Sequence, residues 1–166
     1  LSGVAKEEQI RSMLEVLGRQ LRTPYGFRLC TGVDYAKIAP QVGAALYYRG
    51  DRENGGVFKH ANMMACAAML QAASRVEDKD LAAELCRTAW WVIDVALPYK
   101  TLAHPFDTCG NPRLCTQYNN SETGESFPPT LSGTSTWLLL SLIAGFGLQF
   151  SKETLTLDPL LREEAT

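Results

Sequence analysis

The 166-residue sequence has little excess charge of either sign: 16 lysines and arginines face 18 aspartates and glutamates, for a formal net charge of -2 at pH 7. Without a basic field to neutralise a phosphate backbone, nucleic acid is not an expected partner. Long apolar runs are missing too. The longest, Trp137 to Leu148, is interrupted by Gly145 and Gly147. A bilayer needs roughly 20 consecutive apolar residues, so no membrane span is expected. The opening Leu1 to Lys6 has neither the basic nor the apolar region of a secretory signal, and it has no initiator methionine. The expectation is a cytoplasmic piece of a longer polypeptide. Cysteine is present but odd in number: Cys30, Cys66, Cys86, Cys109 and Cys115. Two of these sit among alanines in helical segments, which fits buried reduced thiols better than a disulfide framework. His104, Cys109 and Cys115 follow no standard zinc spacing and lack an evident fourth ligand, so no metal is expected.

What is present suffices for one domain with a core: 46% hydrophobic and 20% charged residues. Helical periodicity dominates. Ile10, Met13, Leu14, Leu17 and Leu21 recur on one face between Lys6 and Leu21, and Thr23-Pro24-Tyr25-Gly26 stops that helix. A second helix is expected over about Phe58 to Arg75, so rich in alanine and methionine that it must be buried on most sides. A third runs from about Asp78 to Leu97, capped by Asp78 or Asp80 and ended before Pro98, with Leu81, Leu85, Ala89, Val92, Ile93 and Ala96 facing inward. Ser132 to Phe150 reads as a fourth helix, apolar all round and therefore central. Gly26 to Asp51 reads as loop with short extended pieces around Phe27-Cys30 and Ala45-Tyr48, and Tyr99 to Pro129 as a long loop of a length that commonly carries function. Thr154 to Leu157 alternates like a short strand. The fold class expected is all-α, with these helices forming part of an (α/α)6 toroid, a six-hairpin barrel. Residues 1–153 would be its C-terminal portion, and 154–166 the start of a C-terminal β segment.

Two segments carry candidate chemistry. In Arg52-Glu53-Asn54-Gly55-Gly56-Val57-Phe58-Lys59-His60, a Gly-Gly pair lets backbone approach a ligand and leads directly into a helix whose first turn holds a lysine and a histidine. Helix N–H groups, the positive end of the dipole and an imidazole together make an anion site. The plainer alternative for His60 is a helix-start residue bonded to a loop carbonyl. In Thr130-Leu131-Ser132-Gly133-Thr134-Ser135-Thr136-Trp137, hydroxyls and a glycine open another helix. Its plainer alternative is N-capping by Ser132 or Thr134.

The run Glu53-Asn54-Gly55-Gly56-Val57-Phe58-Lys59-His60-Ala61-Asn62 resembles the Glu-Asn-Gly-Gly…His hallmark of glycoside hydrolase family 94, the cellobiose and chitobiose phosphorylases and their kin. Ser132-Gly133-Thr134-Ser135-Thr136-Trp137 is similar to that family's later Thr-Gly-Thr/Ser-Ala-x-Trp motif. Leu155-Thr156-Leu157-Asp158-Pro159 and Thr23-Pro24-Tyr25-Gly26-Phe27-Arg28-Leu29 resemble two further family segments, in the same order. The resemblance implies inverting phosphorolysis of a β-linked disaccharide or oligosaccharide, or its reversal from a sugar 1-phosphate. It assigns phosphate binding to His60, Ser132 and Gly133, and substrate binding to Arg52, Glu53, Asn54, Gly55 and Gly56. Inorganic phosphate would be the co-substrate, and no cofactor is implied. The implied partners are a carbohydrate, the rest of a parent polypeptide and, as an option, a second copy in a homodimer.

The chemistry fits such parts. One carboxylic acid protonates the glycosidic oxygen while phosphate attacks the anomeric carbon, so an anion site replaces the second carboxylate of a hydrolase. The family's acid lies in a Gly-Asp-Trp-Asn-Asp segment that does not occur here, so no catalytic residue is assigned and the acid is expected upstream of residue 1. The Asn111 to Pro129 loop is unlike the family's approach to its second motif, and Asn119 to Glu125 within it reads either as a divergent substrate loop or as the mark of a degenerate or sister-family enzyme. Two rivals remain: a hydrolase of the same toroid with Glu53 as base, and a non-catalytic carbohydrate-binding or scaffold segment.

Overall fold

The computed structural model describes residues 2–34, 37, 47–97, 115–127 and 133–160. Helix α1, Glu7–Val16, continues through a π-helical turn, Leu17–Leu21. A two-stranded ladder follows, β1 Arg22–Thr23 against β2 Gly26–Phe27. Strand β3, Val57–Phe58, leads without a break into α2, Lys59–Ala73. Helix α3, Lys79–Ala96, comes next. Strand β4, Tyr118–Asn119, pairs antiparallel with β3. Helix α4, Thr134–Gly145, precedes a hairpin of β5, Leu148–Phe150, and β6, Leu155–Leu157.

The core forms where α2 packs against both α3 and α4. Met63, Cys66 and Leu70 of α2 meet Leu81, Leu85, Ala89 and Val92 of α3, all of them fully or almost fully buried. The α3 stripe expected from its periodicity is the buried stripe, and Asp78 caps it by accepting from Leu81 N at 3.0 Å. Burial pushes the Cys66 thiol up to about 12, so it stays a neutral packing group. Ser141 of α4 lies fully buried with its hydroxyl 3.0 Å from Met63 O and 2.8 Å from Trp137 O, a polar contact sealed between α2 and α4.

Two expectations are corrected. The described residues form a mixed α/β structure, four α-helices with three small antiparallel ladders, and not part of an all-α (α/α)6 toroid. Each strand has two or three residues, too few to show a period of two, so no ladder except the last was foreshadowed by alternation. Helix α4 is not central either. It buries Thr134, Ser141 and Gly145 and leaves Leu139 58% and Leu140 41% exposed. A helix apolar on every side carries no signal of which side faces inward. No helix among the described residues is long and apolar enough to cross a membrane.

Candidate functional site

The site is built where the openings of α2 and α4 meet. His60 is the second residue of α2 and Gly133 stands at the N-cap of α4. A methyl group placed on Gly133 would lie 3.8 Å from His60 Cβ, although the two residues are far apart in sequence. Each helix brings the positive end of its dipole to this point. His60 Nδ1 is buried and has no hydrogen-bond partner among the described residues. A buried polar atom in a native fold normally has a partner, so an orphan at such a junction marks a place for one. The His60 ring is fixed from the other side by the edge of Phe58, with centroids 5.6 Å apart. Of the two phosphate-site residues that lie within the described chain, the fold therefore brings both together. Ser132 lies outside the described residues.

Phe58 links this junction to the Arg52 loop. It stacks on Tyr118 at 5.0 Å, and Tyr118 stacks in turn on Phe127 at 4.1 Å. The Tyr118 hydroxyl accepts from Arg52 Nε at 3.0 Å, and the Arg52 guanidinium stands 5.4 Å from the Tyr47 ring. The hydrogen bond to Tyr118 raises the Arg52 pKa further, while burial raises that of Tyr118. Arg52 adopts a left-handed φ of 42°, unusual for a residue with a side chain.

The other motif residues divide by where their side chains go. Glu53 is exposed, and its carbonyl accepts from the Cys30 thiol at 3.5 Å. Asn54 is turned inward and 2% exposed. Its amide accepts from Val33 N at 2.8 Å and donates to Val33 O at 2.9 Å and Tyr47 O at 3.1 Å. This side chain imitates a strand neighbour for Val33 and holds the loop shut. Gly55 has a φ of +97°, and a Cβ on Gly56 would lie 2.6 Å from Arg52 O. Both glycines are thus required by the tightness of the turn.

Two residues that sequence reasoning gave no role, Asn62 and Tyr118, and one whose direction it did not foresee, Lys59, complete the arrangement. Asn62 repeats the device of Asn54: its amide accepts from Phe27 N at 2.7 Å and donates to Phe27 O and Phe58 O, each at 2.8 Å. Tyr118 joins the aromatic stack from the 115–127 loop, which β4 clips to the motif through β3. Lys59 does not face the junction as a first-turn lysine was expected to. It is 3% exposed and its Nζ donates to Tyr25 O at 2.7 Å and Val95 O at 3.1 Å. A polar residue inside an apolar helix was the available signal for Asn62, and a lysine opening an otherwise uncharged helix was the signal for Lys59.

Burial pushes the Lys59 amine down from its ordinary 10.5 to about 7. Between those values the unfolded chain holds a proton that the folded chain has released. Stability should therefore rise with pH across that window, by up to about 1.4 kcal/mol per pH unit, with the full burial penalty present below 7. Lys59→Met should flatten this rise. Denaturant midpoints measured across the window check it, and an equally steep rise in the variant would count against Lys59 as its source.

Two grooves of about 460 and 520 Å³ lie on either side of α2, one lined by α1 residues such as Ile10 and Leu14, the other by Trp137, Leu140 and Leu148. Neither includes His60, Gly133 or the 52–56 loop. No family model matches the chain, and no curated protein matches it to significance.

Proposed function

We propose that the chain is the phosphate-binding portion of an inverting glycoside phosphorylase acting on a β-linked disaccharide or oligosaccharide, in cleavage or in synthesis from a sugar 1-phosphate. The observation that carries this reading is the meeting of two helix openings at His60 and Gly133, with the buried Nδ1 of His60 left without a partner between them. Phosphate entering there exchanges its water for helix N–H groups, the imidazole and the Ser132 hydroxyl. The aromatic stack of Phe58 and Tyr118 joins that point to Arg52, which takes the acceptor sugar. The side chains of Asn54 and Lys59 have no direct part in binding on this reading. They hold the loop and the helix opening that do the binding.

Protonation of the glycosidic oxygen requires a carboxylic acid. On this reading it belongs to another part of a longer cytoplasmic polypeptide, for which the chain supplies the anion side. The resemblance of the Glu53–Asn62 and Ser132–Trp137 segments to the family 94 motifs supports the same assignment. The test is disaccharide cleavage by that polypeptide with inorganic phosphate varied. A rate that saturates with phosphate and yields a sugar 1-phosphate of inverted configuration is expected. Cleavage at the same rate in phosphate-free buffer would identify a hydrolase instead, and no cleavage at all a binding segment.

A further inference from the structure

We propose that Lys59 is a positioning residue for His60: its buried side chain pins the opening turn of α2 to two other elements and so fixes where the imidazole points. The proposal rests on the phosphate-site reading of His60 but is carried by different observations. The Lys59 Nζ crosses from the start of α2 to the turn of the first ladder, at Tyr25 O, and to the last turn of α3, at Val95 O. Carbonyls in a final helical turn lack intrahelical donors, so Val95 O is a natural acceptor for a cation. The Lys59 backbone N–H donates to Gln117 O at 2.9 Å, tying the same residue to the 115–127 segment. One residue thus joins four parts of the chain at the point where His60 begins.

The neighbouring ties reinforce the direction of the pin. Asn62, one turn on, holds Phe27 by its backbone, and Phe58, one residue back, is clamped by Tyr118. His60 has no side-chain hydrogen bond of its own at Nδ1 to orient it. Its direction is therefore set by the turn that carries it and by the edge of Phe58, which the start of that turn brings against the ring. Two acceptors face the amine, and the neutral form retains two N–H donors, so the pin holds in either protonation state. The nearby Cys115 thiol, raised by burial, is the other titratable group that interacts with Lys59.

The test compares wild type, Lys59→Met and Lys59→Gln in the whole polypeptide that carries the chain. Hydrogen exchange read by mass spectrometry on peptides covering 57–66 reports the opening turn, and kinetics with phosphate varied reports the imidazole. Lys59→Met should speed exchange in that turn while the middle of α3 keeps its protection. It should also raise KM for phosphate by roughly 3- to 10-fold and leave KM for the disaccharide unchanged. If Lys59→Met fails to accumulate folded, Lys59→Gln, which keeps an amide donor on a shorter arm, serves in its place. Wild-type exchange in the opening turn of either folded variant overturns the proposal, as does faster exchange spread evenly over α2, α3 and α4. Exchange needs no phosphorolysis, so phosphate-independent cleavage by the wild type would reject the function proposed while the exchange data still decide the role of Lys59.

Discussion

Replacing His60 by alanine is expected to lower the second-order rate constant for phosphate by roughly 10- to 100-fold. The size follows from charge. A charge-assisted hydrogen bond to an anion contributes on the order of 1.5–3 kcal/mol, and the dianion must shed its hydration to reach a sugar-lined site. With phosphate varied at saturating disaccharide, the change should fall on KM for phosphate rather than on KM for the sugar. Folding should be little affected, because the ring is only half-buried and its Nδ1 holds no internal bond to lose. An unchanged phosphate dependence in His60→Ala would remove His60 from the site.

The second large effect is on stability. Asn62→Leu keeps the size of the side chain but removes three hydrogen bonds at once, to Phe27 N, Phe27 O and Phe58 O. Phe27 is 5% exposed, so its N–H and carbonyl would be left without water as well as without the amide. Each buried polar group stranded in this way costs about 1–3 kcal/mol. The variant should lose about 3 kcal/mol or more, equivalent to roughly 10 °C in Tm for a domain of this size. Calorimetry or thermal circular dichroism reads it directly. A loss below about 1 kcal/mol would mean that the β2 backbone finds other partners.

The contrast between these two neighbours explains how much was legible in the sequence. Helices α1 and α3 could be read because ten or more residues repeat a period of 3.6, α2 because a long run rich in alanine and methionine favours a buried helix, and Asp78 could be read as a cap because the residue type and place coincide. His60 and Gly133 could be singled out because a glycine-rich entry into a helix is a local pattern. Their meeting is not local, and nothing in either segment states it apart from the family resemblance. Asn54 and Asn62 show the limit most clearly. A polar side chain in a motif reads as a ligand contact when only its neighbours in sequence are known. Here both amides turn back to the chain, to Val33 and Phe27, partners 21 and 35 residues away. The first two ladders were illegible for a different reason: two-residue strands are defined by pairing across the chain and leave no pattern along it, whereas the last showed its alternation at Thr154 to Leu157.

The inward turn of Asn54 also governs how the protein ages. An asparagine followed by glycine is chemically fragile, because the next backbone nitrogen can attack the side-chain carbonyl, expel ammonia and leave aspartate or its isomer. Gly55 supplies that reactive neighbour, with no side chain to obstruct the attack. The three bonds to Val33 and Tyr47 restrain the rotation that the Asn54 amide needs to meet that nitrogen, and the 2% exposure limits the water that would complete the reaction. Protection therefore lasts as long as the loop stays closed. Each opening of the loop exposes the bond, and a molecule that deamidates can no longer close it, because a carboxylate would face the carbonyls of Val33 and Tyr47 where two donors stood. The loop that shapes the site thus carries its own clock, set by how often it opens.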